Sequence, residues 1–213
     1  MVTQVPGALR RMVSVAAVVV AVIGLPTARA SQTPTSAGSQ VNDPRVLIAS
    51  EPRRIAAFDL TDHASRPFSS EEFLGRTSLV YFGFTNCRTV CPVAVTQLRQ
   101  IARALSDEPS PFTNVLISVD GDRDTPEAMT RFLAPFMPGF VGLTGKPETV
   151  RHVATDFKAV FFKGMPIDTK GGYDVEHTPQ VYLVDRAGRL RATFYNASVE
   201  SMVDVTRRVM REK

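Results

Sequence analysis

Leu79-Val80-Tyr81-Phe82-Gly83-Phe84 is an uninterrupted apolar run of strand length, followed closely by Cys87-Arg88-Thr89-Val90-Cys91-Pro92 and then by an amphipathic stretch. A run that is apolar at every position suits a strand buried on both faces, the central strand of a sheet covered by helices. Beyond Pro92, Ala94, Leu98, Ile101, Ala102 and Leu105 recur at helical spacing, so a helix begins at or beside the second cysteine. Strand, cysteine loop and helix in direct succession point to a layered α/β architecture.

The flanking sequence extends that pattern. Ile55 to Leu60 and Phe68 predict a small leading hairpin around the polar Thr61 to Arg66 turn, and Val115 to Val119 predicts a second buried strand. Asp124-Thr125-Pro126-Glu127 reads as a helix start, with a polar cap, proline at the first helical position and an early acid; that helix runs toward Phe136. Pro147 to Phe157 carries Val150, Val153, Ala154 and Phe157 on one face. Val181 to Val184 and Leu190 to Tyr195 form a hairpin around Asp185-Arg186-Ala187-Gly188, and a last helix spans about Ser198 to Lys213. This is the order of a thioredoxin-like α/β fold with an N-terminal β-hairpin extension and an inserted helix/loop region.

Residues 1–30 stand apart: Arg10-Arg11, an uncharged Val/Ala-rich run from Met12 to Thr27, then Ala28-Arg29-Ala30. That outline is an export signal with cleavage after Ala30. The run falls short of the roughly 20 residues of a spanning helix before Pro26 interrupts it, so membrane attachment is expected only if the segment is retained. Residues 31–50, rich in Ser, Thr, Gln and Pro, read as a flexible tether, and 51–213 as the folded domain. Without residues 1–30 the chain has 22 basic and 21 acidic residues, so the basic excess belongs to the signal and a nucleic-acid role has no electrostatic motive. The expected location is the periplasm or the extracytoplasmic face of the membrane.

The two cysteines of the chain, Cys87 and Cys91, would reach a compartment where disulfides persist. A bridge closing so short a loop adds little stability, which points to chemistry as the reason for the pair. Because Pro92 disfavours helical geometry at the residue before it, Cys91 is expected to be the N-cap with Cys87 on the preceding loop. Both sulfurs then lie near a helix N-terminus, where the thiolate is favoured. Three intervening residues open a wider loop than the two usual for thiol-disulfide exchangers, and two soft thiolates suit reduced copper. An added imidazole would hold the oxidised ion too. Of three histidines, His177 is expected on a loop that returns beside the cysteines, whereas His63 and His152 read as solvated.

From Val80 to Cys87, through Cys91-Pro92, Ile117-Ser118-Val119-Asp120, Arg123-Asp124-Thr125-Pro126 and His177-Thr178 to Tyr182-Leu183-Val184-Asp185, the chain resembles the Sco (SenC-type) proteins in order and spacing. The resemblance covers roughly Ala56 to Met210. It implies binding of Cu(I) or Cu(II) by Cys87, Cys91 and His177, delivery to the CuA-bearing subunit of cytochrome c oxidase or another acceptor, and a thiol reductant as a further partner. The usual family loop has Pro and Asp where Arg88 and Thr89 stand; Arg88 would lower the thiol pKa values and oppose a bound cation. Glu176 replaces the usual Asp before the histidine and keeps its charge.

The alternative is an extracytoplasmic thiol-disulfide oxidoreductase using Cys87 and Cys91, supported by Pro179, which lies where thioredoxin-type enzymes carry a cis-proline. A thioredoxin-fold adaptor with neither activity is the third class. Asp120, Asp122 and Asp124 read as helix capping and a solvated turn; Phe82, Phe84, Phe161 and Phe162 read as core.

Overall fold

The structure is a computed structural model that describes residues 43–166 and 172–212. The expected signal and residues 31–42 of the expected tether lie outside the described residues. In chain order the strands are β1 (Val46–Arg54), β2 (Asp59–Asp62), β3 (Pro67–Ser69), β4 (Thr77–Gly83), β5 (Phe112–Ser118), β6 (Phe140–Thr144), β7 (Phe161–Pro166), β8 (Tyr173–His177), β9 (Val181–Val184) and β10 (Arg189–Phe194). The helices are α1 (Val90–Ala104), α2 (Pro126–Leu133), α3 (Pro147–Asp156) and α4 (Val199–Arg211). None of them is long and apolar enough to cross a membrane.

Eight strands form one sheet in the order β1-β10-β9-β4-β5-β6-β2-β3, and β7 and β8 form a separate antiparallel ribbon. β4 is central: it runs parallel to β5 and antiparallel to β9, and every one of its residues is buried. This is the thioredoxin-like arrangement, with the β2/β3 hairpin and the β7/β8 ribbon added to it. Leu98, Ile101 and Val95 of α1, all fully buried, cover one part of the sheet, and Phe82, Phe157 and Tyr182 meet edge to face in another.

Three elements differ from expectation. The expected tether ends earlier, because Val46–Ser50 belongs to β1, which pairs with β10. Leu47 and Ile48 are exposed there, so backbone hydrogen bonds place this edge strand and its side chains give no alternating signal. β6 carries no clear strand signal in the sequence because Gly142 breaks its apolar run. The glycine lets α2 cross closely, since a Cβ would sit 2.7 Å from a Leu133 methyl and 2.9 Å from the Met129 methyl, both of which would have to shift. The β7/β8 ribbon corrects the reading of Phe162, which is 58% exposed rather than core.

The two hairpin turns share one construction. Asp185 accepts from the amides of Ala187 and Arg189 (3.0 and 2.9 Å) and from the Arg189 and Arg191 guanidinium groups; Asp62 accepts from the amides of Ala64 and Arg66 (both 2.8 Å) and from the Arg66 guanidinium. Burial pushes both carboxyls up, but these donors outweigh it and hold each below the ordinary aspartate value. A depressed folded-state pKa stabilises the fold above the unfolded value near about 4 and is lost as pH falls through the folded one. The stability gap between wild type and Asp185→Asn should therefore be wide at pH 7 and shrink toward pH 3, as read by urea midpoints; a gap that is the same at both values would contradict this account.

Candidate metal centre

β4 ends at Gly83, and the chain passes through Phe84, Thr85 and Asn86 to Cys87 before α1 begins. Thr89, not Cys91, is the N-cap. Pro92 fits inside the first turn because its missing N–H has no intrahelical partner there, and the pre-proline bias at Cys91 is overridden. Cys91 is therefore a helical residue, fully buried, whereas Cys87 remains 9% exposed at the loop. Gly83 makes room: a Cβ on it would lie 3.1 Å from the Cys91 sulfur and 2.8 Å from the Tyr81 ring.

The two thiols are free, and the Cys91 amide donates to the Cys87 sulfur at 3.4 Å. They do not share the expected preference for thiolate. Burial raises the Cys87 thiol, yet the amides of Cys91 and Thr89, with that of Val90, outweigh it, and the thiol lies below its ordinary value. The helix start itself does this; Arg88 is exposed. Burial pushes the Cys91 thiol up to about 12, and its hydrogen bond with the neighbouring Cys87 adds to the rise against the Phe84 amide and the Tyr81 hydroxyl.

His177 is the last residue of β8, not a loop residue. Its Nε2 lies 3.6 Å from the Cys91 sulfur, and its Nδ1 is 3.2 Å from the Thr178 carbonyl. A proton on Nδ1 satisfies that carbonyl and leaves the Nε2 lone pair facing the thiols. Burial lowers the His177 pKa against the Thr178 bond, which favours the neutral ring a metal requires. Tyr81 and Phe84 meet the imidazole edge to face at 5.8 and 5.9 Å, closing it in aromatic walls that sequence periodicity could identify only as core. One ligand atom from each of Cys87, Cys91 and His177 lies within 4.8 Å of the others. Bonds of about 2.0–2.3 Å to a shared ion set donors roughly 3.5–4 Å apart, so small side-chain adjustments suffice for all three to reach one ion.

A family model described as SCO1/SenC matches residues 49–211. The chain belongs to the SCO1/SenC family. A SCO2-like protein of Rickettsia conorii is 32% identical over 151 residues, 70% of this chain and 74% of the relative. The copper-bound structure of Bradyrhizobium japonicum ScoI is 31% identical, covering 72% of this chain and 98% of that one with a TM-score of 0.66. Arabidopsis thaliana ScoI with copper bound is 26% identical, covering 74% and 98%, with a TM-score of 0.68.

The remaining expectations divide. On this Sco chain His152 is exposed, but His63 is half-buried and its Nδ1 accepts from the Gly142 amide at 3.2 Å, so it is a structural residue and not a solvated one. Asp120 and Asp124 are buried, at 4% and 0%, and only Asp122 is solvated. Thr178–Pro179 is trans; Met137–Pro138 is the one cis peptide among the described residues.

Proposed function

We propose that this chain is a copper-binding assembly factor, holding copper through Cys87, Cys91 and His177 and delivering it to the CuA centre of cytochrome c oxidase. The observation that carries the reading is the convergence of two thiols and a neutral imidazole on one point of a Sco fold. Copper-bound ScoI structures from two organisms support it. The chemistry fits: two soft sulfurs favour Cu(I), a metal bond replaces each thiol proton, and Nε2 supplies the harder donor that Cu(II) needs. Family membership supports the delivery step, for which the acceptor is the CuA-bearing subunit and a thiol reductant keeps the pair reduced. Residues 1–30 serve as the export signal, which puts the folded domain on the extracytoplasmic side.

Titrating the fully reduced protein with copper should load one ion per chain, with metal content and thiolate-to-copper absorption saturating together. Failure to take up a stoichiometric amount would sink the proposal. The adjacency of the thiols favours a second reading, a thiol-disulfide oxidoreductase. Turnover of a disulfide substrate by the copper-free dithiol distinguishes it, since a pure metallochaperone shows none.

A further inference from the structure

The turn between β5 and α2 holds both halves of the metal centre. On the cysteine side, the Asp124 carboxylate accepts from the Thr85 amide at 2.9 Å and hydroxyl at 2.6 Å, and from the Ser118 hydroxyl at 2.6 Å, fixing the loop two residues before Cys87. On the histidine side, the Tyr173 phenol donates to Asp120 Oδ1 at 2.6 Å, and Arg123 donates through Nη1 to the Tyr173 carbonyl at 2.9 Å while its Nε bonds Asp120. The Arg123 guanidinium lies 3.8 Å from the Tyr173 ring centre and Lys163 Nζ 3.7 Å from it.

Tyr173 and His177 are the first and last residues of β8. Alternation along a strand puts Tyr173, Val175 and His177 on one face, and Val175 is buried. β8 has no partner in the main sheet and pairs only with β7. The thiols sit on the loop after β4 and in the first turn of α1, whereas the imidazole rides on a ribbon whose far end, about 13 Å along the strand, is tied to the β5–α2 turn by the Tyr173 hydroxyl, by Arg123 and by an ion pair of Lys163 with Asp122 at 3.9 Å.

We propose that Asp120, Arg123 and Tyr173 are positioning residues for His177, setting the distance from its imidazole to the two thiols. This rests on the reading of Cys87, Cys91 and His177 as a copper site. The argument is one of lever and tolerance: a metal ligand must be held to within about 0.5 Å, and outer partners of ligands typically change metal affinity 10- to 100-fold. Because the thiolates alone suit Cu(I), the brace should matter chiefly for Cu(II), which draws on the imidazole.

The test uses Tyr173→Phe, which keeps the ring and its stacking and removes only the hydroxyl, beside Asp120→Asn, which keeps an oxygen to accept from that hydroxyl in the tyrosine chain. Wild type and His177→Ala are the references, all as reduced protein. In the copper-free state, the His177 ring signals in ¹H–¹⁵N spectra should shift or broaden in Tyr173→Phe and less so in Asp120→Asn. Cu(II) affinity should fall about 10-fold or more in Tyr173→Phe, with Cu(I) affinity within about threefold of wild type and the melting temperature close to it. Unchanged ring signals and Cu(II) affinity would overturn the proposal, as would equal losses for both copper states alongside a lowered melting temperature, the mark of general damage. If wild type itself takes up no copper, the copper reading fails, and the copper-free ring signals still decide whether the brace positions His177.

Discussion

Cys91→Ser is expected to lower Cu(I) affinity by roughly 1,000-fold, equivalent to about 4 kcal/mol, in competition with a Cu(I) chelator of known strength. Serine is close to cysteine in size, so the site keeps its shape and loses the soft donor that copper selects. Cys87→Ser should match it in copper binding, yet the two should differ in stability. Cys91 is fully buried beside Gly83 and Tyr81, where a hydroxyl must find a partner, whereas Cys87 lies at the loop. His177→Ala should keep much of the Cu(I) affinity and lose the thiolate-to-Cu(II) absorption. Wild-type affinity in either serine variant would move the ion away from this cluster.

Those three residues were legible in the sequence for unequal reasons. Cys87 and Cys91 announced themselves by position: an apolar run long enough to be a central strand, then two thiols, then a helix. His177 could be ranked above His63 and His152 by its place before Thr178-Pro179 and β9, but its strand could not be seen. Tyr173-Asp174-Val175-Glu176 alternates over only four residues, too few to mark a strand by themselves, and its partner β7 carries Gly164, whose Cβ would approach the Asp174 carbonyl to 3.1 Å. The difference between the two thiols was not legible either. It depends on Cys91 sitting inside the helix under Tyr81 while Cys87 collects amides at the helix start, because the N-cap, Thr89, lies two residues before Cys91, where the pre-proline rule places it. Asp120 and Asp124 went unread as site supports because an acid-rich turn before a helix has the same sequence whether it is solvated or buried.

Gly121→Ala is the substitution outside the ligands with the largest expected effect. The added Cβ would overlap the Gly145 carbonyl oxygen, a backbone atom with no rotamer to yield, so the β5–α2 turn or the end of β6 must move. A cost of roughly 3 to 5 kcal/mol follows, lowering the melting temperature by about 10 °C or more in a domain of this size. Gly75→Ala provides the comparison: its φ of +80° is strained for alanine, but nothing lies within 4 Å of the new methyl, so about 1 to 2 kcal/mol is expected. Gly121 has no such positive φ, so a loss there no larger than at Gly75 would show that the contact with Gly145 relaxes without moving the turn.

The separate ribbon would give the proposed copper site a property that a cage built on one element would lack. Cys91 and His177 are 86 positions apart, on parts of the chain that share no strand pairing. An ion held between them is a reversible cross-link, tying an appendage to the sheet and closing a long loop much as a disulfide would. Loading and folding would then be thermodynamically linked: a gain in copper affinity would slow the ribbon's amide exchange, and an acceptor that drew the ion away would hand that freedom back.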